Sequence, residues 1–347
     1  MSRKRKPDSA LPRDTAPDVD PFAIGACLLG APEKTPTEAV FRPEDLDLAI
    51  GLGFQSLVVE MDFADMSSLE SFARSASGYR SRLDLYVKVR IPPDFPPGGL
   101  SEKFIGGARI LEDIGPRWIL DLPGGTAHPA FRALDALVDR TRETLPSGKI
   151  GLWLSCIVAV PDDPDSPWDT RVARAVTAET LAQVPDPAHL DFIVMAWQGS
   201  VTLRFSPFRP FARWRRVWRI QPPDARDTAY FAEGLSMVAA LRRPILVVDR
   251  HPGPLDAAWP QAMAHCACLG AFAGETAQVE NLLGYCWDPF LVPANGNTPG
   301  PSAAGLVLLD TADGSRTPYP ETFGWVAACR RAFHETRKKE PHRDSFH

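Results

Sequence analysis

The chain has 347 residues, 44% hydrophobic and 23% charged, which is apolar material enough for a large core and excludes a wholly disordered polymer. Its formal net charge of -5 argues against a general nucleic-acid surface, which needs clustered Lys and Arg to displace counterions from phosphates. The 35 prolines fall mostly between apolar runs, so they mark structured loops rather than a proline-rich tail.

Residues 1–20 are polar and proline-containing and read as a disordered N-terminal arm. The basic start Arg3-Lys4-Arg5-Lys6 is not followed soon enough by an apolar stretch to make a signal peptide, and Phe22–Leu29 is too short to span a bilayer. A cytoplasmic protein without a membrane span is the expectation. Eight apolar runs follow: Phe22–Leu29, Gln55–Met61, Leu83–Ile91, Arg117–Leu122, Ile150–Val158, Asp191–Trp197, Ile245–Asp249 and Leu282–Trp287. Each is rich in Val, Ile and Leu without strict polar alternation, as parallel strands covered on both faces are.

The segments between the runs carry helix chemistry. Ser67 and Ser68 offer capping hydroxyls just before Leu69 and Phe72, and Phe131, Leu134, Leu137 and Val138 recur at helical spacing. Eight such β–α units predict an α/β chain folded as a (β/α)8 TIM barrel, a single domain over residues 21–338 with a charged tail at 339–347. The first loop, Gly25-Ala26-Cys27-Leu28-Leu29-Gly30, lacks the G-x-G-x-x-G spacing of a nucleotide site. The longest insertion, 200–227, is rich in aromatics and arginine, with Arg213, Arg215 and Arg216 beside Trp214 and Trp218; it is placed over the C-terminal mouth, where a protein partner could dock.

The six cysteines are scattered through apolar runs and read as buried thiols. His265, Cys266 and Cys268 lie in a predicted helix, where i and i+2 point to different faces, and no second ligand cluster accompanies them, so no metal is expected; no cofactor is expected either.

Three stretches of the last third resemble the clan of retaining barrel glycosidases that includes cellulase-like and β-galactosidase-like enzymes. "RRPILVVDRHPG" (242–253) is similar to their seventh strand, and Asp249 stands where they present the nucleophilic glutamate. "ENLLGYCWDPF" (280–290) is similar to their eighth strand, whose closing Trp floors the sugar site, and Trp287 matches it. "AGLVLLDTADGSRTPYPETFGWV" (304–326) is similar to their closing element. Where the clan ends strand four in Asn-Glu-Pro, with Glu as the acid/base, this chain has Asp121-Leu122-Pro123. A leucine cannot protonate a leaving oxygen, and general acid catalysis alone is worth roughly 100- to 10,000-fold.

Three readings follow. The first is a glycosidase acting on an oligo- or polysaccharide, with Asp249 as nucleophile or base and Asp121 as a further candidate. The second is a degenerate barrel that binds carbohydrate or serves as a scaffold. The third is a different barrel enzyme built on Glu60, Asp62 and Asp121. Glu60 and Asp62 share one strand face, with Arg90 as a possible ion-pair partner. Trp287, Trp197 and Gln198 would contact the sugar, aromatic faces meeting its C–H groups, and His251 would orient it. Trp153, inside the fifth run, reads as core.

Overall fold

The computed structural model describes residues 22–28, 42–61, 63, 66–91, 102–122, 134–146, 148–181, 184, 186–205, 214–217, 225–251, 255–276, 281–293, 305–310 and 313–337. The N-terminal arm, the charged tail, Asp62 and much of the 200–227 insertion lie outside them. The barrel strands alternate with helices: β1 (Ala23–Leu28), α1 (Pro43–Gly51), β2 (Ser56–Glu60), α2 (Met66–Ala76), β3 (Asp84–Arg90), α3 (Glu102–Glu112), β4 (Arg117–Asp121) and α4 (Leu134–Thr144) make the first half. The second half is β5 (Ile150–Pro161), α5 (Pro167–Leu181), β6 (Phe192–Phe205), α6 (Ala225–Ala239), β7 (Ile245–Arg250), α7 (Leu255–Thr276), β8 (Leu282–Asp288) and α8 (Thr322–Arg337). Each strand pairs in parallel with the next, and β8 pairs back onto β1, so the sheet closes on itself. The expected (β/α)8 barrel is the observed fold.

Closure divides the side chains by parity, because successive residues of a strand point to opposite faces. One apolar cluster draws only on strands: Cys27, Val58, Tyr86, Ile119, Phe192, Val194, Leu246, Val248 and Cys286, with Trp153 and Leu283 against it. All eight strands contribute, so this is the barrel interior. The other parity, including Val87, Leu120, Leu152, Met195 and Val247, packs with helical residues such as Leu69, Leu111, Phe231 and Leu269 into the outer core. Interior packing is tight enough to demand glycine where strands approach closely: a Cβ on Gly151 would overlap the Phe192 ring.

Two strands run past the barrel. β5 and β6 stay paired to Pro161 and Leu203, and Trp214–Val217, part of the insertion, adds an antiparallel partner to Thr202–Phe205. The extension is held by its own small apolar cluster, in which Ala159, Val201 and Leu203 meet Val172 and Ala173 of α5. The fifth and sixth runs therefore end later than their hydrophobicity suggests, since among the described side chains the extra residues bury only Ala159, Val201 and Leu203, against a helix rather than in the barrel. Between β8 and α8, Leu291–Pro293, Val307–Leu309 and Arg316–Pro318 form a separate small sheet. It is tied to α1 by an ion pair between Arg316 and the fully buried Asp45. Among the described residues, no helix is long and apolar enough to cross a membrane.

The contact between Gly151 and Phe192 generates a stability test. Phe192→Ala should destabilise by about 3–5 kcal/mol through cavity formation, and Gly151→Ala by about 1–3 kcal/mol through overpacking. The double variant should be less destabilised than the two effects added, because the new methyl group occupies space vacated by the ring. Urea denaturation of the four proteins measures this, and strict additivity would show that the two positions do not share one packing site.

Candidate ligand site at the C-terminal mouth

One step beyond the sealed interior layer, the next inward positions on five of the strands are polar. Counting two residues on from Val58, Tyr86, Ile119, Val248 and Cys286 reaches Glu60, Lys88, Asp121, Arg250 and Asp288. These stand at the C-terminal ends of their strands, the end at which barrel enzymes carry their sites. Strand register sets them side by side: Glu60 pairs with Lys88, Asp121 with Trp153, and Arg250 with Asp288.

Lys88 is the centre of the layer. Its Nζ lies 3.2 Å from Glu60 Oε2 and 3.0 Å from Asp121 Oδ2, and 4.2 Å from the centroid of the Trp153 ring. Its side chain is only 8% exposed, so a desolvated ammonium is balanced by two carboxylates and the negative face of an indole. On the facing wall, Arg250 Nε lies 3.9 Å from Asp288 Oδ2; the arginine is largely in solvent while the aspartate is buried. Burial pushes the Asp288 carboxyl up to about 6, a rise that Glu60 adds to and that Arg250, Lys88 and His251 hold in check. The mouth thus offers a carboxyl that exchanges its proton near neutrality beside two carboxylates that share one ammonium. This set can donate and accept hydrogen bonds and can transfer a proton.

The structure brings two of the sequence candidates, Glu60 and Asp121, into this layer, but the ion-pair partner of Glu60 is Lys88 and not Arg90, which stands exposed two residues further along β3. Gln198 is half-buried at the end of the barrel portion of β6. Trp153 is a correction: its inward parity makes it a half-buried wall of the mouth rather than sealed core. Asp249, Trp197 and Trp287 do sit at the C-terminal strand ends, as expected, yet on the outward parity, where all three are buried against helices. Trp287 packs its ring 4.1 Å from His251 and 5.0 Å from Trp325, leaving no face for a sugar. Leu122, at the place of the clan's proton donor, joins the same outer core, so neither it nor Asp249 lines the mouth.

Asp249 instead anchors a buried polar chain behind β7. Its Oδ2 lies 2.6 Å from His265 Nδ1 and 3.2 Å from His251 Nε2, and accepts from Tyr285 Oη at 2.6 Å. His265 Nε2 in turn approaches Asp227 Oδ2 of α6 at 3.4 Å, and its ring stacks on Phe231 at 4.0 Å. Burial alone would raise the Asp249 carboxyl, but the two imidazoles reverse this and hold it far below the usual carboxylate range. Burial lowers His265, but the Asp249 and Asp227 carboxylates outweigh it and bring the ring up to about 9.

Sequence reasoning missed Lys88, Asp288, Arg250, His265 and Tyr285 as members of these two polar groups. The usable signal was parity. Lys88 and Asp288 are each two residues beyond an interior position, but that count needs the barrel's inner face to be known. Among the described residues, no group of three or more His, Cys, Asp and Glu side chains is placed to hold a metal ion.

No protein-family model matches the chain, and no curated protein matches it. Solved structures do. The family 1 β-glucosidase from Thermotoga maritima superposes with a TM-score of 0.63 at 15% identity, over 90% of this chain and 98% of that one. The β-glucosidase from the same organism in complex with glucoimidazole gives 0.61 at 16% identity over the same shares. The complex with isofagomine lactam gives 0.60 at 15% over 83% and 86%. The likeness is one of fold: the chain has a glycosidase-like barrel along nearly its whole length.

The chain behind β7 makes stability depend on pH in a definite direction. The folded His265 ring keeps its proton to about pH 9, whereas an unfolded histidine releases it near 6.5. The folded state therefore binds more protons between these values, and the stability this adds is complete below about pH 6.5 and lost as the pH rises through 9. Denaturant titrations should show a fall on the order of 1–3 kcal/mol between pH 6.5 and 9.5. His265→Gln should flatten that fall; an unchanged slope in this variant would assign it to other groups.

Proposed function

We propose that the protein is a carbohydrate-binding barrel of glycosidase-like architecture that takes an oligo- or polysaccharide in its C-terminal mouth. The observation that carries this reading is the Lys88 bridge: one buried ammonium that lies over the Trp153 ring and pairs with both Glu60 and Asp121. Each carboxylate keeps lone pairs beyond those the lysine uses, the half-buried Trp153 stands beside Asp121 in the strand register, and Asp288 adds a carboxyl that can donate or accept. Sugars ask for this mixture, since their hydroxyls seek paired acceptors and donors while their C–H faces seek aromatic surface. The likeness to barrels solved with glucoimidazole and isofagomine lactam supports the same class of ligand.

Binding is favoured over hydrolysis by Asp249. The carboxylate at the clan's nucleophile place is committed to two imidazoles and a phenol behind the wall, and the two carboxylates of the mouth share a cation that lowers the nucleophilicity of both. A second reading rests on Asp288. A carboxyl titrating near 6 at the same mouth as Glu60 and Asp121 can hold a proton to donate near neutrality, and it would make the mouth a hydrolase with Asp288 as proton donor.

Calorimetry against a panel of oligosaccharides, with aryl glycosides assayed in parallel, separates these readings. Saturable binding weakened at least about tenfold by Trp153→Ala, with no aryl release, is the expected result. Aryl release abolished by Asp288→Asn and untouched by Asp249→Asn would favour the hydrolase. With neither signal the carbohydrate reading fails, and the barrel is a scaffold for a protein partner, with 200–227 the first segment to test.

A further inference from the structure

An ion pair alone does not account for a lysine at position 88. Elsewhere the chain closes ion pairs with arginine, Arg117 to Asp84, Arg142 to Asp191 and Arg316 to Asp45, and the planar guanidinium fork suits carboxylates better than an ammonium does. Position 88 instead carries one of only eight lysines among the 38 Lys and Arg residues. Stability does not explain the choice either, because a buried cation with its carboxylates is often no more stable than apolar side chains of similar volume. What lysine adds over arginine is a primary amine, the group that forms imines with carbonyl compounds. This amine stands on a barrel strand at the C-terminal end. Solvent reaches it and both of its partners, the side chains of Lys88, Asp121 and Glu60 being 8%, 11% and 22% exposed.

We propose that Lys88 is a covalent carbonyl-binding residue, which condenses with the aldehyde or ketone carbon of an α-hydroxy carbonyl compound while Glu60 and Asp121 carry the proton. The ammonium first gives one proton to a carboxylate, Asp121 Oδ2 at 3.0 Å or Glu60 Oε2 at 3.2 Å. The amine nitrogen then adds to the carbonyl carbon, the π pair moves to oxygen, and a second N–H proton passes to that oxygen. The carboxylic acid returns its proton to the new hydroxyl. Water leaves with the C–O pair as the nitrogen lone pair forms the C=N bond. Ammonium and carbonyl thus become iminium and water, and the carboxylate is regenerated. The iminium has the same single positive charge as the ammonium, so the two carboxylates and the Trp153 ring, 4.2 Å from Nζ at its centroid, stabilise both. It keeps one N–H where the ammonium had three. One carboxylate is thereby released to accept from a hydroxyl on the neighbouring carbon, which selects an α-hydroxy compound.

The test uses the full chain and a two-carbon aldehyde that needs no saccharide cleft, so its failure is distinct from failure of the carbohydrate reading. The protein is incubated with glycolaldehyde and cyanoborohydride, which reduces an imine to a stable secondary amine, and peptide mass spectrometry locates the modified lysines. Lys88 should be modified about tenfold or more faster than the exposed Lys149, because only Lys88 has carboxylates placed to move the protons. With propanal, similar in size but without the hydroxyl, that excess should fall about fivefold. In Lys88→Arg the fast modification should vanish while that of Lys149 is unchanged. Lys88 left unmodified, or modified no faster than Lys149, overturns the proposal, and so does an equal excess with propanal. Both readouts come from the parent protein, so they hold even if Lys88→Arg fails to fold.

Discussion

Everything in this molecule that bears on function follows from the period of two in a strand that is covered on both faces. Once β8 pairs with β1, each strand must send one set of side chains into a closed space and the other against helices. The inner set is apolar through the middle of the barrel and, on five of its strands, polar for one step at the C-terminal end, and that change of character makes the mouth. The outer set stays buried as far as Asp249, the last outward residue of β7. A carboxylate there cannot be hydrated and persists only by taking imidazole and phenol partners, as Asp249 does.

The fold was legible in the chain because parallel strands and amphipathic helices write different periods. The eight apolar runs fall on the eight barrel strands, with ends displaced by a residue or two except in β5 and β6, where pairing outlasts the barrel. The site was legible only in part. Glu60 and Asp121 could be chosen because carboxylates at strand ends are conspicuous. Asp249 and Trp287 were as conspicuous, and a linear pattern says which residues close a strand without saying which way they face. Neighbours in sequence, Asp249 and Arg250 or Trp287 and Asp288, go to opposite sides of the wall. Lys88 escaped notice because a lysine inside an apolar run looks like an interruption until Glu60 and Asp121 are seen on either side of it. His265 was hidden beside Cys266 in a helix whose contacts with the barrel no pattern reveals.

The two polar groups differ in what holds them. Lys88 satisfies its neighbours at the edge of solvent, where water can finish any incomplete bond. The Asp249 chain lies deeper, and Asp249 Oδ1, His251 Nδ1, His265 Nε2 and Trp197 Nε1 are buried without a hydrogen-bond partner among the described residues. Such a network is stiff in charge as well as in shape, since altering one proton disturbs every member.

The parity of β7 and β4 also instructs anyone who would redesign the barrel. A carboxylate written at 249 or 122 enters the helical layer, whatever its neighbours in sequence suggest. The positions that can furnish the mouth with new chemistry are 250, 121, 88, 60 and 288, none of which contributes to the outer core. Catalytic groups could therefore be exchanged along one face of the wall while the packing that keeps the barrel folded, on the other, is left as it stands.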